Sequence, residues 1–506
     1  MDSLKTDDQL TINNRRKEYK ISKKLIRKVP YFEKMLSHDL KESKENKVEL
    51  DFDEQALKEI FHCLEFGYMF IEMESVMNLC NMIDYFGMDN DLMDECVDYF
   101  HDNFTIEHLP VVMPQVTATS KCINSEALNG FICRHFLKIS NTTAWLHYPI
   151  EIVEYILNLN LMIHSEKQVF DAIFRWINGD SRSRMRFLRK LLNLVRWYHL
   201  EDLDLSEIKK NKFFNRAGSG PVFWLHWKRN CHRAFNRAKQ NYFIMIEHVS
   251  GTNLHVKVID SNFIVLFVRK VELDKSMPLH VFHNKHVSDI IFDSGRRGIR
   301  IDWSLSKYRW LDLSTFKCPH LETIKCIYGR SGEKNCSSDN LNKDLYLGAL
   351  GSALLETTEK FILIYDGYFS RSLSEGFEKY FHKDFHDFHV TFLDDHIYVL
   401  NRLLVLTRYD TNYCPIEWTR FENTRAKLAD LLLTSSQAND NRVFLANKIT
   451  KDIHCYNIKS KKWSSIHLKI NNGSIDCRTG SNELLAFTSA FLSIDAIGPY
   501  MNPELS

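Results

Sequence analysis

Cys231 sits in WKRNCHRAFNRAK, residues 227–239, with Lys228, Arg229, His232 and Arg233 around it. Positive neighbours favour a thiolate over a thiol, so these are the surroundings of a redox-sensitive nucleophile. A structural cysteine in a basic segment is the plainer reading of the same residues. Cys318-Pro-His320, followed by Cys326 and Cys336, offers soft metal donors. A structural zinc site is ordinarily built from two closely spaced ligand pairs, and that spacing is missing. The run FHKDFHDFH at 381–389 mixes His with Asp, a combination that moves protons or holds a metal, and equally makes a polar surface loop. GRSGEK at 329–334 fails the spacing of a phosphate-binding loop, and neither H-E-x-x-H nor G-x-S-x-G occurs. The expectation is a protein with no catalytic residues, no metal and no cofactor, and therefore not an enzyme.

A different chemistry, that of recognition, is offered by HDLKESKENKVEL, residues 38–50. Leu40 stands alone in a charged segment, with Glu42 two residues on. Taken by itself, Leu40 is an ordinary leucine capping a core, and Glu42 is one charge in a solvated loop. The basic run NRRKEYKISKKLIRK, 14–28, holds eight cationic residues and one acid. It reads as a solvated face, with a nuclear signal as the alternative.

The elements that position these residues divide into two kinds. The first 210 residues are mainly helical. In DEQALKEIFHCLEFG, Leu57, Ile60, Phe61 and Leu64 fall on one stripe, Asp53 is placed to cap the start, and Gly67 lies just past the end. ESVMNLCNMIDYFG repeats that form and stops at Gly87. LMDECVDYFHDNF follows, PIEIVEYILN opens with Pro149 at a first helical position, and SEKQVFDAIFRWING has Ser165 as cap and Gly179 as stop. LTINNRRKEYKI, 10–21, predicts a hairpin and KVEL, 47–50, a short strand. AGSGP at 217–221 signals a linker. Beyond it short β runs recur, among them HVKVID, FIVLFVRKVEL, SDIIFDS, FILIYDGYF, HIYVLN and RVFLAN, with TRAKLADLLLTSSQ as the one helical exception.

Two of these β units look alike. HIYVLNRLLVLTRYDTNYCPIEWTRF and RVFLANKITKDIHCYNIKSKKWSSI each run strand, loop, strand ending in Tyr, polar turn, Trp; Trp418 and Trp463 are 45 residues apart. GIRIDWSLSKYRWLDL ends similarly at Trp310. A period of about 45–50 residues is that of a four-stranded propeller blade and leaves room for about six. Unrelated β-meanders remain the alternative.

Composition agrees with globular domains: 44% hydrophobic, 12% aromatic, 26% charged and a net charge of +1, which gives no global pull toward nucleic acid or anionic membrane. The first ten residues are polar and acidic, no apolar run spans a bilayer, and no C₂H₂ spacing occurs, so neither membrane insertion nor direct nucleic-acid binding is expected. Twelve cysteines without a C-x-x-C pair read as reduced thiols in the cytoplasm or the nucleus.

The stretch PYFEKMLSHDLKESKENKVELDFDEQALKEIFHCLEFGYMFIEMESVMNLCNMIDYFGMDNDLMDECVDYF resembles a BTB (POZ) domain. FICRHFLKI, PIEIVEYILNLNLMIHSEKQVFDAIFRWI and LRKLLNLVRW resemble, in order, the helices of the BACK domain that follows it. The β region resembles kelch repeats without their Gly-Gly doublets; HIYVLNR and RVFLANK stand where doublets belong. The resemblance implies three domains: an α+β BTB domain at 1–105, an all-α BACK domain at 106–215, and a divergent kelch-type all-β propeller at 216–506. It further implies a substrate adaptor of a ubiquitin ligase, whose BTB domain binds the scaffold cullin-3 while the propeller holds a target protein. The family's hydrophobic-x-Glu cullin motif falls on Leu40-Lys41-Glu42, with Tyr31 and Phe32 on the preceding helix. Asp8 and Leu10 fall in the first strand and carry the expected homodimer contact, with only Met1 to Thr11 available for strand exchange. Val29 replaces the family's capping Ser at the Tyr31–Phe32 helix, losing a cap worth ~1 kcal/mol. The alternative function the resemblance implies is a BTB-dimerised, actin-associated scaffold.

Overall fold

The computed structural model describes residues 8–211, 235–295, 297–311, 322–323, 326–327, 353–356, 361–365, 368–370, 379–381, 388–393, 396–410, 415–422, 426–436, 441–470 and 482–501. The Cys231 segment, the 217–221 linker, Cys318, His320, Cys336, GRSGEK and most of FHKDFHDFH lie outside the described residues. The chain divides into two units, Met1–Asn129 and Gly130–Ser506.

In the first unit β1 (Gln9–Asn14) pairs antiparallel with β2 (Lys17–Ser22) and parallel with β3 (Lys47–Leu50), in the order β2-β1-β3. Strand periodicity sends Leu10, Ile12 and Asn14 inward, all fully buried. Asn14 is a polar group in that interior and is satisfied: its Nδ2 donates to the Phe52 carbonyl at 3.0 Å and to Glu54 Oε1 at 2.8 Å. Helices α1 (Lys23–Ile26), α2 (Pro30–Ser37) and α3 (Lys41–Glu45) occupy the crossover from β2 to β3. Three longer helices follow, α4 (Glu54–Phe66), α5 (Val76–Phe86) and α6 (Asn90–Asn103). Asp53 caps α4 as its position demands, accepting from Gln55 N and Ala56 N at 3.0 Å each. Gly67 and Gly87 close α4 and α5 at φ of 82° and 64°, left-handed values that a glycine adopts without strain.

The second unit begins all-helical. A long helix, α7 (Ser125–Ile139), runs across the division, and α8 (Thr143–His147), α9 (Ile150–Asn158) and α10 (Glu166–Gly179) follow. Ser165 and Gln168 form a reciprocal capping box at the start of α10. Three buried tryptophans fix the packing because each indole N–H must find an acceptor. Trp145 reaches the Ala172 carbonyl at 3.0 Å, Trp176 that of Tyr148 at 2.9 Å, and Trp197 that of Leu192 at 2.8 Å.

The remainder is β. Three sheets are consecutive antiparallel four-strand meanders. They are β10 (Ala353–Glu356) to β13 (Lys379–Phe381) by way of β11 (Phe361–Tyr365) and β12 (Tyr368–Ser370); β14 (Phe388–Leu393), β15 (His396–Asn401), β16 (Val405–Tyr409) and β17 (Pro415–Arg420); and β18 (Leu431–Ser435), β19 (Arg442–Asn447), β20 (Ile453–Asn457) and β21 (Lys462–Ile466). A larger sheet holds β4 (Asn241–Ser250), β5 (Asn253–Ile259), β6 (Ile264–Leu273), β7 (Val287–Phe292), β8 (Arg297–Asp302), β9 (Lys307–Leu311) and the last strand, β23 (Leu484–Phe491), in the order β23-β4-β5-β6-β9-β8-β7. β22 (Lys469–Ile470) adds to β6.

The repeated turns use side chains where glycines were expected. Asp302, Asn401 and Asn447 each pair with the first residue of the preceding strand, Val287, Phe388 and Leu431 respectively. Each then accepts backbone N–H bonds from its own turn: Leu305 N at 3.0 Å, Leu403 N at 3.0 Å, Ile449 N at 2.9 Å. Ser306, Leu404 and Lys451 take the left-handed conformation at the exits, with φ of 56°, 56° and 62°.

Two expectations are corrected. TRAKLADLLLTSSQ is no helix in its described part: a single turn at Leu428–Asp430 leads into β18, whose five residues are all buried. A strand with both faces covered reads as a continuous apolar run and loses the alternation that marks strands. The unit ending at Trp310 differs from the other two, because Tyr308 and Trp310 share β9, whereas Tyr409 and Trp418, or Tyr456 and Trp463, sit on successive strands.

Candidate interaction site

Leu40 is the residue before α3 and is 45% exposed. Its place is set by short-range bonds: Leu40 N donates to the His38 carbonyl at 2.8 Å, and Ser43 Oγ to the carbonyls of His38 and Leu40 at 2.8 and 2.9 Å. Glu42, in the first turn of α3, is half-buried. Asn46, left-handed at φ 53°, ends the helix and returns the chain to β3.

The neighbouring surface is aromatic. Tyr31 and Phe32 on α2 are matched by Tyr85 and Phe86 at the end of α5. The two phenylalanines are buried with ring centroids 5.3 Å apart, and the two tyrosines pair above them, also at 5.3 Å. Burial, then the hydroxyl of Tyr85 and the charge of Glu42, push the Tyr31 phenol up to about 12. Tyr85 is 54% exposed and leans on Phe52 at 5.1 Å. Tyr31 and Tyr85 thus make an aromatic surface within reach of the Glu42 carboxylate, and Leu40, two residues before Glu42, is exposed at the start of α3.

Phe32 was expected among the contact residues, but it is fully buried and supports Tyr31 from below. Leu10, expected at a dimer contact, is likewise fully buried in its own unit's core, while Asp8 is exposed. Tyr85 was missed; the signal available was the second Tyr-Phe pair, in IDYFG. Val29 precedes α2 with no side-chain cap bond.

In the second unit several strand arginines are engaged by neighbours. Arg297 lies over the Phe292 and Trp310 rings at 5.3 and 5.5 Å, and Arg442 over Phe263 and Phe444 at 5.4 and 5.5 Å. Arg408 Nη2 meets His396 Nε2 at 2.8 Å. A small cleft is lined by Tyr398, Arg408, Glu417 and Tyr456. Among the described residues no group of three or more His, Cys, Asp or Glu is arranged to hold a metal, and no helix is long and apolar enough to cross a membrane.

Residues 117–210 match the BACK family, described as "BTB And C-terminal Kelch". The chain thus combines a helical BACK region with antiparallel sheets that follow it. Among curated proteins the chain is similar to Kelch-like protein 26 of Danio rerio, 24% identical over 30% of this chain and 26% of that one. It is similar also to Kelch-like protein 17 of Homo sapiens, at 22% over 33% and 26%. Kelch-like protein 28 of Mus musculus matches at 26% over 43% and 37%. These matches support a BTB–BACK–kelch protein at low identity, and the matched part spans between 26% and 37% of the length of these relatives.

Proposed function

We propose that this chain is a non-enzymatic adaptor of a cullin-3 ubiquitin ligase. The first unit is then a BTB domain that binds cullin-3, and the β sheets form a degenerate kelch propeller that holds a protein target. The observation that carries the reading is that Leu40 is exposed two residues before Glu42, whose carboxylate acts on the aromatic pair of Tyr31 and Tyr85. An apolar side chain with aromatic neighbours and one carboxylate has the make-up of an interface anchor and its orienting rim.

The propeller is supported by how the first strands meet. Thr488 Oγ1 on β23 donates to the Ile291 carbonyl on β7 at 3.1 Å, and Ser489 Oγ to that of Ser435 on β18 at 3.1 Å. Ser435 Oγ in turn bonds Thr391 Oγ1 on β14 at 3.0 Å. Side-by-side first strands, each leading a meander, are the arrangement of blades about an axis, and the pairing of β23 with β4 joins the last strand to the earliest sheet. Holding target and ligase together raises the target's effective concentration at the transfer site.

The test is calorimetric titration of the full chain with the N-terminal region of cullin-3, beside Leu40→Asp. Binding that the substitution weakens by about tenfold or more, 1.4 kcal/mol, is the expected result. A folded wild-type chain that does not bind sinks the adaptor reading.

A further inference from the structure

Far along α4 from its cap, the first unit displays a second aromatic surface that the cullin reading does not use. Phe66, Tyr68 and Phe70 are 57%, 52% and 59% exposed. They gather around His62, with ring centroids 4.7, 4.8 and 5.3 Å from it, and Tyr68 and Phe70 touch at 5.4 Å. The cluster is held in place. Gly67 turns the chain at φ 82°, His62 Nδ1 donates to the Tyr68 carbonyl at 3.2 Å, and Phe70 N donates to Glu59 Oε2 at 3.3 Å. Three large rings held side by side in water are an exposed patch of the kind that marks a binding surface.

The charge around the patch says what it fits. Residues 53–103 hold thirteen acidic side chains against the single Lys58. Glu65 precedes Phe66 and Glu72 follows Phe70 by two residues, both exposed. Neither they nor Glu59 and Glu74 form an ion pair among the described residues. Aromatic faces attract guanidinium and ammonium groups, and carboxylates at the rim complete the match. We infer that the surface formed by His62, Phe66, Tyr68 and Phe70, with Glu59, Glu65 and Glu72, docks a basic peptide segment of a partner protein. Its arginines or lysines would stack on the rings and pair with the carboxylates. This site is separate from the Leu40 surface and stands whether or not cullin-3 binds.

Fluorescence anisotropy of the full chain with a labelled dodecapeptide of alternating Arg and Leu tests it, with the same peptide carrying Glu for Arg as control. The expected result is saturable binding of the basic peptide alone. It weakens by about tenfold or more with Phe66→Ala/Phe70→Ala and with Glu65→Lys/Glu72→Lys, and by less than about twofold with Asp91→Lys or Leu40→Asp. Absence of binding up to about 1 mM overturns the proposal. So does equal weakening by Asp91→Lys, which means diffuse charge attraction. Sedimentation of the chain alone gives the remaining outcome: self-association that Phe66→Ala/Phe70→Ala abolishes assigns the patch to a second copy and also overturns it. All variants are of exposed residues, and a far-ultraviolet circular dichroism spectrum matching the wild type confirms folding.

Discussion

Glu166 and Arg237 form a bidentate ion pair in the interior of the second unit, Nε to Oε1 at 2.7 Å and Nη2 to Oε2 at 2.6 Å, with both side chains fully buried. The remaining donors of Arg237 reach the carbonyls of Leu157, Leu159 and Leu194, and Glu166 also accepts from Arg196 N at 3.0 Å. One guanidinium therefore joins α9, α10 and the segment after α10 to the chain just ahead of β4. Arg196 and Gln240 reinforce the joint through the Phe235 and Leu161 carbonyls at 2.6 and 3.0 Å.

A pair so placed costs more to break than its attraction is worth. Arg237→Met leaves Glu166 charged and buried, and is expected to destabilise the second unit by about 3–5 kcal/mol. Glu166→Leu does the same from the other side. The double substitution restores most of the loss, since no charge is stranded. Urea denaturation of the four proteins checks this, and equal stability of wild type and Arg237→Met is the contrary result.

Acid should weaken the second unit through His283. Asp289 accepts a bidentate bond from Arg300 at 2.7 Å on both edges, and His283 Nε2 lies 3.7 Å from Asp289 Oδ2. Burial, reinforced by Arg134 and Arg300 and opposed by Asp289, holds the His283 imidazole well below its usual range. The unfolded chain takes up that proton at about 6.5, so stability is fully present above that pH and declines as pH falls below it, by up to about 1.4 kcal/mol per unit. The Asp289 carboxyl, despite burial, is held low by Arg300, and its contribution is lost only as pH falls below about 4. His283→Gln should flatten the melting temperature between pH 5 and 6.5 and leave the steeper loss below pH 4 in place.

Tyr85 is the residue the proposed interface gains from the structure. Tyr85→Ala removes the ring beside Tyr31 without opening the core, because Phe86 carries the buried contact. It is expected to weaken cullin-3 binding by about 1–2 kcal/mol while shifting the denaturation midpoint little. Unchanged affinity confines the contact to Leu40 and Glu42.

Local chemistry made the helix ends of both units and the first strand legible. Asp53, Gly67, Ser165 and Gly87 mark helix ends through bonds within a few residues of themselves, and the alternation in LTINN shows which face is inward. Burial beyond one element is another matter. Phe32 looks like its neighbour Tyr31 in sequence, and only packing against Phe86 of α5 shows that it is interior. β4, NYFIMIEHVS, escaped notice altogether because nothing in it alternates. Tyr242, Ile244 and Ile246 enter one core while Phe243 and Met245 enter another, so both faces are apolar.

That double burial predicts where the β region is most vulnerable. Phe243 lies between Phe263 and Phe487, stacked at 5.1 Å and 5.6 Å with interplanar angles of 19° and 8°. Phe487 belongs to β23, which reaches β4 from the far end of the chain and pairs with it from Phe491↔Asn241 to Leu484↔Glu247. The stack therefore fastens the latest strand to the earliest one, a connection with no local contacts to form it first. Phe487→Ala empties a site with little room to collapse, between Phe243 and Phe444, and is expected to cost about 3–5 kcal/mol. Because so distant a pairing closes late, most of the loss should appear as faster unfolding, with the folding rate nearly unchanged. Stopped-flow unfolding beside equilibrium denaturation separates the two, and a slowed folding limb would place β23 in the folding nucleus instead.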